Sequence, residues 1–151
     1  MNSDKDKKEE TQTIGTLIES GRYVEAIGRR KRAVARVRVR EEKVTKLAFL
    51  INERQLHEYF QTENLRVKAK DPLSKLKNQN QFSITALVKG SGVSSQADAV
   101  RHGLSKVFAS LDVEWKKKLK KAGFLKPDIR IKERKKFGKK KARKSPQWSK
   151  R

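Results

Sequence analysis

No cysteine occurs in the chain, which excludes a disulfide framework, thiolate catalysis and zinc sites built on thiolates. The two histidines, His57 and His102, lie far apart in sequence with no cysteine to complete a metal site. Acids are few: 17 Asp and Glu face 40 Lys and Arg, a net charge of +23 in 151 residues. They are scattered, mostly in the first residues and the turns, and form no paired-acid constellation of a metal-dependent nuclease. No nucleophile pairs with a base, so a protein without catalytic residues, cofactor or metal is expected. Long apolar runs are missing too, and no segment approaches the roughly 18 apolar residues of a membrane span. The first ten residues have no apolar stretch of a signal peptide, and Asp4, Asp6, Glu9 and Glu10 make them too acidic for a transit peptide. These absences point to a cytoplasmic protein with no membrane partner.

What is abundant is positive charge, and it is concentrated. Residues 116–151 hold 18 Lys or Arg against two acids, Asp128 and Glu133. A segment this charged cannot bury enough apolar surface to offset the entropy of ordering itself, so it needs a polyanion to fold against. Ile129, Ile131, Phe137 and Trp148 interleave with the charge, and Arg is mixed with Lys, adding planar forked donors suited to phosphate and to stacking on bases. Pro127, Gly138 and Pro146 are placed to bend an extended path. Hydrophobic residues make up 34% of the chain, below the roughly 45–50% of ordinary globular chains, a range that also counts Gly. The chain therefore divides into a leader at 1–22, one modest domain at 23–123 and a basic nucleic-acid-binding tail at 124–151.

In the leader, Ile14, Leu17 and Ile18 share one side of a possible short helix ending at Ser20, limited by Gly15 and Gly21. Tyr23 to Arg40 is predicted as strand, interrupted at Gly28–Arg32. Ala33, Ala35, Val37 and Val39 alternate with Arg32, Val34, Arg36, Arg38 and Arg40, so a small apolar set faces a core and the arginines face outward. Gly28 marks a bulge or a close approach to another backbone. Leu47–Ile51 is a short buried strand, and Asn52 is predicted to cap a helical turn in which Leu56, Tyr59 and Phe60 share a face. A further helix starts near Thr62–Asn64 with Leu65, Leu73 and Leu76 as core positions, broken or restarted by Pro72. Residues 77–81 form a loop. Phe82, Ile84, Ala86 and Val88 alternate as a strand. A Gly/Ser turn then leads into a helix whose stripe is Ala97, Val100, Leu104, Val107, Phe108 and Leu111. That turn is a weak phosphate-binding signal, which Arg101 and His102 would reinforce. A last helix runs from about Val113 to Ala122, capped by Asp112, with Trp115 and Leu119 inward and Gly123 as its stop.

Gly28-Arg29-Arg30-Lys31-Arg32-Ala33-Val34-Ala35-Arg36-Val37 resembles the small-subunit ribosomal protein nine family, bacterial type. The resemblance continues, in the family's order, through Ile51–Phe60, Val88-Lys89-Gly90, Gln96–Leu104, Leu119–Leu125, Ile131–Gly138 and Arg143–Arg151. It covers nearly everything from Tyr23 onward. It implies an α+β fold with helices on one face of a small sheet, the left-handed β-α-β crossover of the ribosomal-protein-five second-domain superfold, and a long extended basic tail. It also implies a structural role in the head of the small (30S) subunit. The partners would be 16S ribosomal RNA, the anticodon stem-loop of the peptidyl-site transfer RNA, and head proteins seven, ten and fourteen, with no DNA partner.

Carried over, Ser149, Lys150 and Arg151 match the family's terminal Ser-Lys-Arg and would touch the transfer RNA. Contacts to ribosomal RNA fall to Arg29, Arg30, Lys31, Arg32, Arg36 and Arg38 in the first strand region, and to Arg101 and His102. In the tail they fall to Lys132, Arg134, Lys135, Lys136, Lys139, Lys140, Lys141, Arg143, Lys144, Gln147 and Trp148. Three positions depart from the family's pattern. Trp148 stands for its Phe, Ser145 for its Ala, and Ser95 for a Gly; a left-handed backbone at Ser95 would be strained. A free RNA-binding protein or RNA chaperone of the same fold, and a histone-like DNA compactor suggested by charge alone, are the alternatives.

Overall fold

The computed structural model describes residues 23–41, 48–76 and 82–150. The leader, the predicted loop at 77–81, residues 42–47 and Arg151 lie outside these.

The region predicted as one interrupted strand is a hairpin. β1 (Val24–Arg30) and β2 (Ala33–Glu41) pair antiparallel from Val24↔Val39 to Arg30↔Ala33, joined by Lys31–Arg32 with Lys31 at φ 53°. Gly28 forms no bulge, because the register runs through it unbroken. Of the two roles expected of it, the close backbone approach is the one seen. β3 (Ala48–Ile51) turns through Asn52–Glu53 into the two-residue β4 (Arg54–Gln55). β5 (Phe82–Lys89) lies antiparallel to β2, from Val34↔Lys89 to Glu41↔Phe82, and parallel to β3. The mixed sheet has the order β1-β2-β5-β3-β4.

Asn52 is not the expected helix cap. Both turn residues have positive φ, 48° at Asn52 and 68° at Glu53, a conformation that Asn tolerates and that suits a tight hairpin. The Asn52 side chain donates to Val88 O at 3.0 Å and accepts from Val88 N at 2.8 Å, and its backbone N–H donates to Ala86 O at 2.9 Å. The cap of the short helix α1 (Leu56–Tyr59) is Gln55, in a capping box with Glu58. α2 (Glu63–Leu76) runs through Pro72 without a break. One intrahelical bond is forfeited, but Ala69, Pro72, Leu73 and Leu76 are all buried and hold the helix on both sides of it.

α3 (Val93–Leu111) and α4 (Val113–Lys121) complete the helices. α3 lies against β1 and β2, with α2 and α4 packed on it. The predicted stripe is observed: Ala97, Val100, Leu104, Val107 and Phe108 are buried and Leu111 is partly so. They meet Ala33, Ala35, Val37 and Val39 from β2 and Phe82, Ile84, Ala86 and Val88 from β5, all buried on the same sheet face. Phe82, Phe108 and Trp115 form an edge-to-face triangle with centroids 5.2–6.1 Å apart. Asp112 Oδ1 accepts from Glu114 N at 2.8 Å as the α4 cap, and Gly123 at φ 76° follows its end. Ser95 lies within the first turn of α3, and the left-handed positions are Gly90 and Ser91 instead. The strain conditional on a left-handed Ser95 does not arise.

Candidate nucleic-acid interface

β1 is an edge strand, and an unpaired edge invites other chains. Two α3 side chains cover it. Lys106 Nζ donates to Ile27 O at 3.2 Å, and Arg29 N–H donates to His102 Nδ1 at 3.1 Å. His102 is held below the usual imidazole range, first by burial and then by the neighbouring Lys106 charge. The neutral form, with Nδ1 free to accept, is the one this bond requires.

Beside that edge, Asp98 on α3 gathers three cations: Lys68 Nζ at 2.9 Å, Arg101 Nη2 at 3.0 Å and Arg30 Nε at 3.7 Å. Arg101 also reaches Asp71 at 3.4 Å and lies over the Phe124 ring at 5.1 Å. Arg30 extends to the start of the tail. It donates to the carbonyls of Asp128 (3.1 Å) and Arg130 (3.3 Å) and pairs with the Asp128 carboxylate at 3.1 Å. Hydrogen bonds from the Arg130 side chain, then from its backbone, hold the Asp128 carboxyl down at about 2. Arg29, Arg30, Lys68, Arg101, His102 and Lys126 thus line one cleft of about 180 Å³. Arg30, Lys68 and Arg101 are matched by Asp98 and Asp128 in the cleft and by Asp71 beside Arg101. Lys31 and Arg32 stand exposed at the adjoining turn.

The sheet face opposite the helices, open among the described residues, forms a second array. Ile27, Val34 and Leu87 alternate there with Arg36 and Lys89 around a shallow cavity. Arg36 and Arg38 share Glu25, at 3.2 and 2.7 Å, and Arg38 also lies over the Tyr23 ring at 4.9 Å. The face is cationic and half-neutralised, with apolar side chains between the charges.

The third array is the tail. Residues 127–150 form no helix or strand. Lys132, Arg134, Lys135, Lys136, Lys140, Lys141, Arg143, Lys144, Gln147, Trp148, Ser149 and Lys150 are exposed and Lys139 is half-buried. The run is not one straight arm, because Glu133 accepts from Arg143 Nε at 2.8 Å and pairs with Lys136 at 3.1 Å. Arg151 lies outside the described residues.

The structure brings Arg29, Arg30, Arg101 and His102 together and places Arg36 and Arg38 on the open sheet face. Among the expected contact residues, Arg30, Arg36, Arg38, Arg101, Lys136 and Arg143 are engaged with carboxylates. Sequence reasoning missed Asp98, Lys68 and Glu25, whose partners are set by tertiary contacts. The i, i+3 spacing of Asp98 and Arg101 was the one local signal. Among the described residues no helix is long and apolar enough to cross a membrane.

These features define a small α+β domain that carries three cationic surfaces, one of them a long C-terminal segment. A model of the family described as Ribosomal protein S9/S16 matches residues 28–151, and the chain belongs to that family. Membership implies a structural constituent of the ribosome, acting in translation, with ribosomal RNA and ribosomal proteins as partners.

Proposed function

We propose that the chain is a structural protein of the small-subunit head. It holds 16S ribosomal RNA, and Ser149, Lys150 and Arg151 reach the anticodon stem-loop of the peptidyl-site transfer RNA. The family match carries this reading, because it runs unbroken from the β1 strand to the last residue of the cationic segment. The charge distribution supports it: lysine and arginine on a segment without helix or strand can follow RNA phosphates, which position a protein without reading sequence. Head proteins seven, ten and fourteen are the proposed neighbours, and the cytoplasm the proposed compartment. The parallel β3–β5 pair needs a crossover, here through α2, and the left-handed connection of the ribosomal-protein-five second-domain fold is proposed at that place.

Sedimentation of the tagged protein from lysate, with and without ribonuclease, tests the assignment. Travel with small subunits and whole ribosomes, abolished by ribonuclease, is expected. Protein at the top of both gradients overturns it. Subunits lacking residues 149–151 should assemble and bind peptidyl-site transfer RNA more weakly, and unchanged affinity across a salt series would remove the tip contact.

A further inference from the structure

Residues 133–144 of the tail close into a loop. Gly138, at φ 72°, lets the chain reverse. Lys139 N–H donates to Lys136 O at 3.3 Å, and Lys140 N–H donates to Lys144 O at 2.8 Å. Glu133 ties the two ends together. Its carboxylate accepts from Arg143, ten residues on, at 2.8 Å and pairs with Lys136 at 3.1 Å. The hydrogen bond from Arg143, then that from Lys136, lowers the Glu133 carboxyl below its ordinary value. At the tip the Phe137 ring is wholly exposed. Around it Arg134, Lys135, Lys136, Lys139 and Lys140 line an open bowl of about 570 Å³.

A bare aromatic ring held out in water by a clipped loop, with cations lining the bowl beside it, fits few ligands. Paired duplex offers phosphates but keeps its base faces stacked. A lipid headgroup offers phosphate without a planar face. An unpaired nucleotide offers both, because any base has a π-face and its neighbours carry phosphates. Resting on the RNA-binding reading above, we infer that the loop clipped by Glu133 is a site for an unpaired, unstacked RNA nucleotide. Phe137 is its stacking platform, and Lys135, Lys136, Lys139 and Lys140 hold the flanking phosphates. Glu133 acts as a positioning residue that fixes the loop's shape.

The probe is an RNA hairpin with one 2-aminopurine in its loop, compared with the same strand fully paired to its complement. Both are titrated with the full chain over a salt series. The intact protein should prefer the hairpin and quench its fluorophore. Phe137→Ala and Phe137→Leu should each lose roughly 5- to 100-fold in hairpin affinity, together with the quench, while duplex affinity and its salt slope stay constant. Phe137→Trp should restore both. Glu133→Gln, with one negative charge fewer, should bind duplex more tightly and yet discriminate less for the hairpin. A loss of packing in the tail alone would not give those opposite signs. Hairpin binding that is unchanged in Phe137→Ala and Phe137→Leu, or lost equally with duplex binding, overturns the inference and leaves general RNA binding intact. An intact protein that binds neither RNA overturns both readings.

Discussion

Gly28 on β1 and Gly103 on α3 meet backbone to backbone. A Cβ on Gly103 would lie 3.1 Å from Gly28 N, and one on Gly28 would overlap Gly103 N and Ala99 O. Strand and helix therefore approach at a distance that no side chain permits, and this places His102 and Lys106 within reach of the β1 edge. Gly28→Ala meets only backbone and must push α3 away, so it should cost about 3 kcal/mol or more. Gly103→Ala meets the buried Val37 methyl at 2.7 Å and Gly28 N at 3.1 Å, a smaller overlap than the one at Gly28, and the roughly 1 kcal/mol that Ala gains over Gly in a helix offsets part of the clash. It should cost clearly less. Urea midpoints at constant m-value rank the two.

Asn52 should be as sensitive for a different reason. Its amide stands in for a peptide group and extends the β3–β5 ladder past the end of β3. Asn52→Ala leaves both polar groups of buried Val88 without these partners and forces Ala to positive φ, at a cost of roughly 2–4 kcal/mol. Asn52→Gly keeps the backbone unstrained and should lose less. Equal losses in thermal or urea unfolding would mean that the hydrogen bonds, and not the turn, carry the whole effect.

Much of this fold was legible where the pattern is local. Alternation in 33–39 and 82–88 and the stripe from Ala97 to Phe108 report burial on one face, and burial is what the structure has there. Asn52 misled because its partner lies 36 residues away, so the residue type suggested a cap. Pro72 misled because a proline's local cost was weighed without the tertiary packing of Leu73 and Leu76 that offsets it. The Lys31–Arg32 turn contains none of the Gly or Asn that usually announces a hairpin. The basic surfaces were visible as composition, but which cations face carboxylates depends on Asp98 and Glu25 being folded against them.

Burial of His102, and after it the neighbouring Lys106 charge, makes stability depend on pH. The folded pKa lies below the unfolded value of about 6.5. Between the two, the unfolded chain binds the extra proton, so stability rises with pH. The contribution is complete above about pH 6.5, declines as pH falls through that window, and is flat below the folded pKa. His102→Gln keeps an acceptor and removes the titration, so its stability profile should be flatter just below the ordinary imidazole pKa of about 6.5. An unaltered slope would assign the dependence elsewhere.

Arg30 clamps the start of the tail to the domain, and the Arg130 amide reports on the clamp because it donates to Asp128 Oδ1 at 2.9 Å. Arg30→Met should raise hydrogen exchange at that amide while core amides keep their protection. The Asp128 carboxylate should hold its full contribution above the ordinary Asp pKa, lose it progressively as pH falls below that value, and have lost it once pH has fallen through about 2. Protection in Asp128→Asn that equals the parent's would show that the Arg30 bonds to the backbone carbonyls suffice.

Glu25 sets how much of the open sheet face is available to phosphate. It is shared by Arg36 and Arg38, and its hydrogen bond is the main reason the Arg38 guanidinium holds its proton more tightly than usual. Exposed pairs of this kind contribute little to stability, so Glu25→Gln should leave unfolding nearly unchanged. Its effect should appear in binding. Two arginines released from one carboxylate raise RNA affinity, and the slope of log affinity against log salt steepens, since each phosphate neutralised releases about 0.9 counterion on duplex and about 0.7 on single strands. Arg36→Glu with Arg38→Glu should act in the opposite sense, impairing incorporation into subunits while the hairpin of β1 and β2 stays folded. If the paired reversal incorporates normally and Glu25→Gln leaves the salt slope unchanged, the arginines of this face are solvated charges and the binding load falls on the tail.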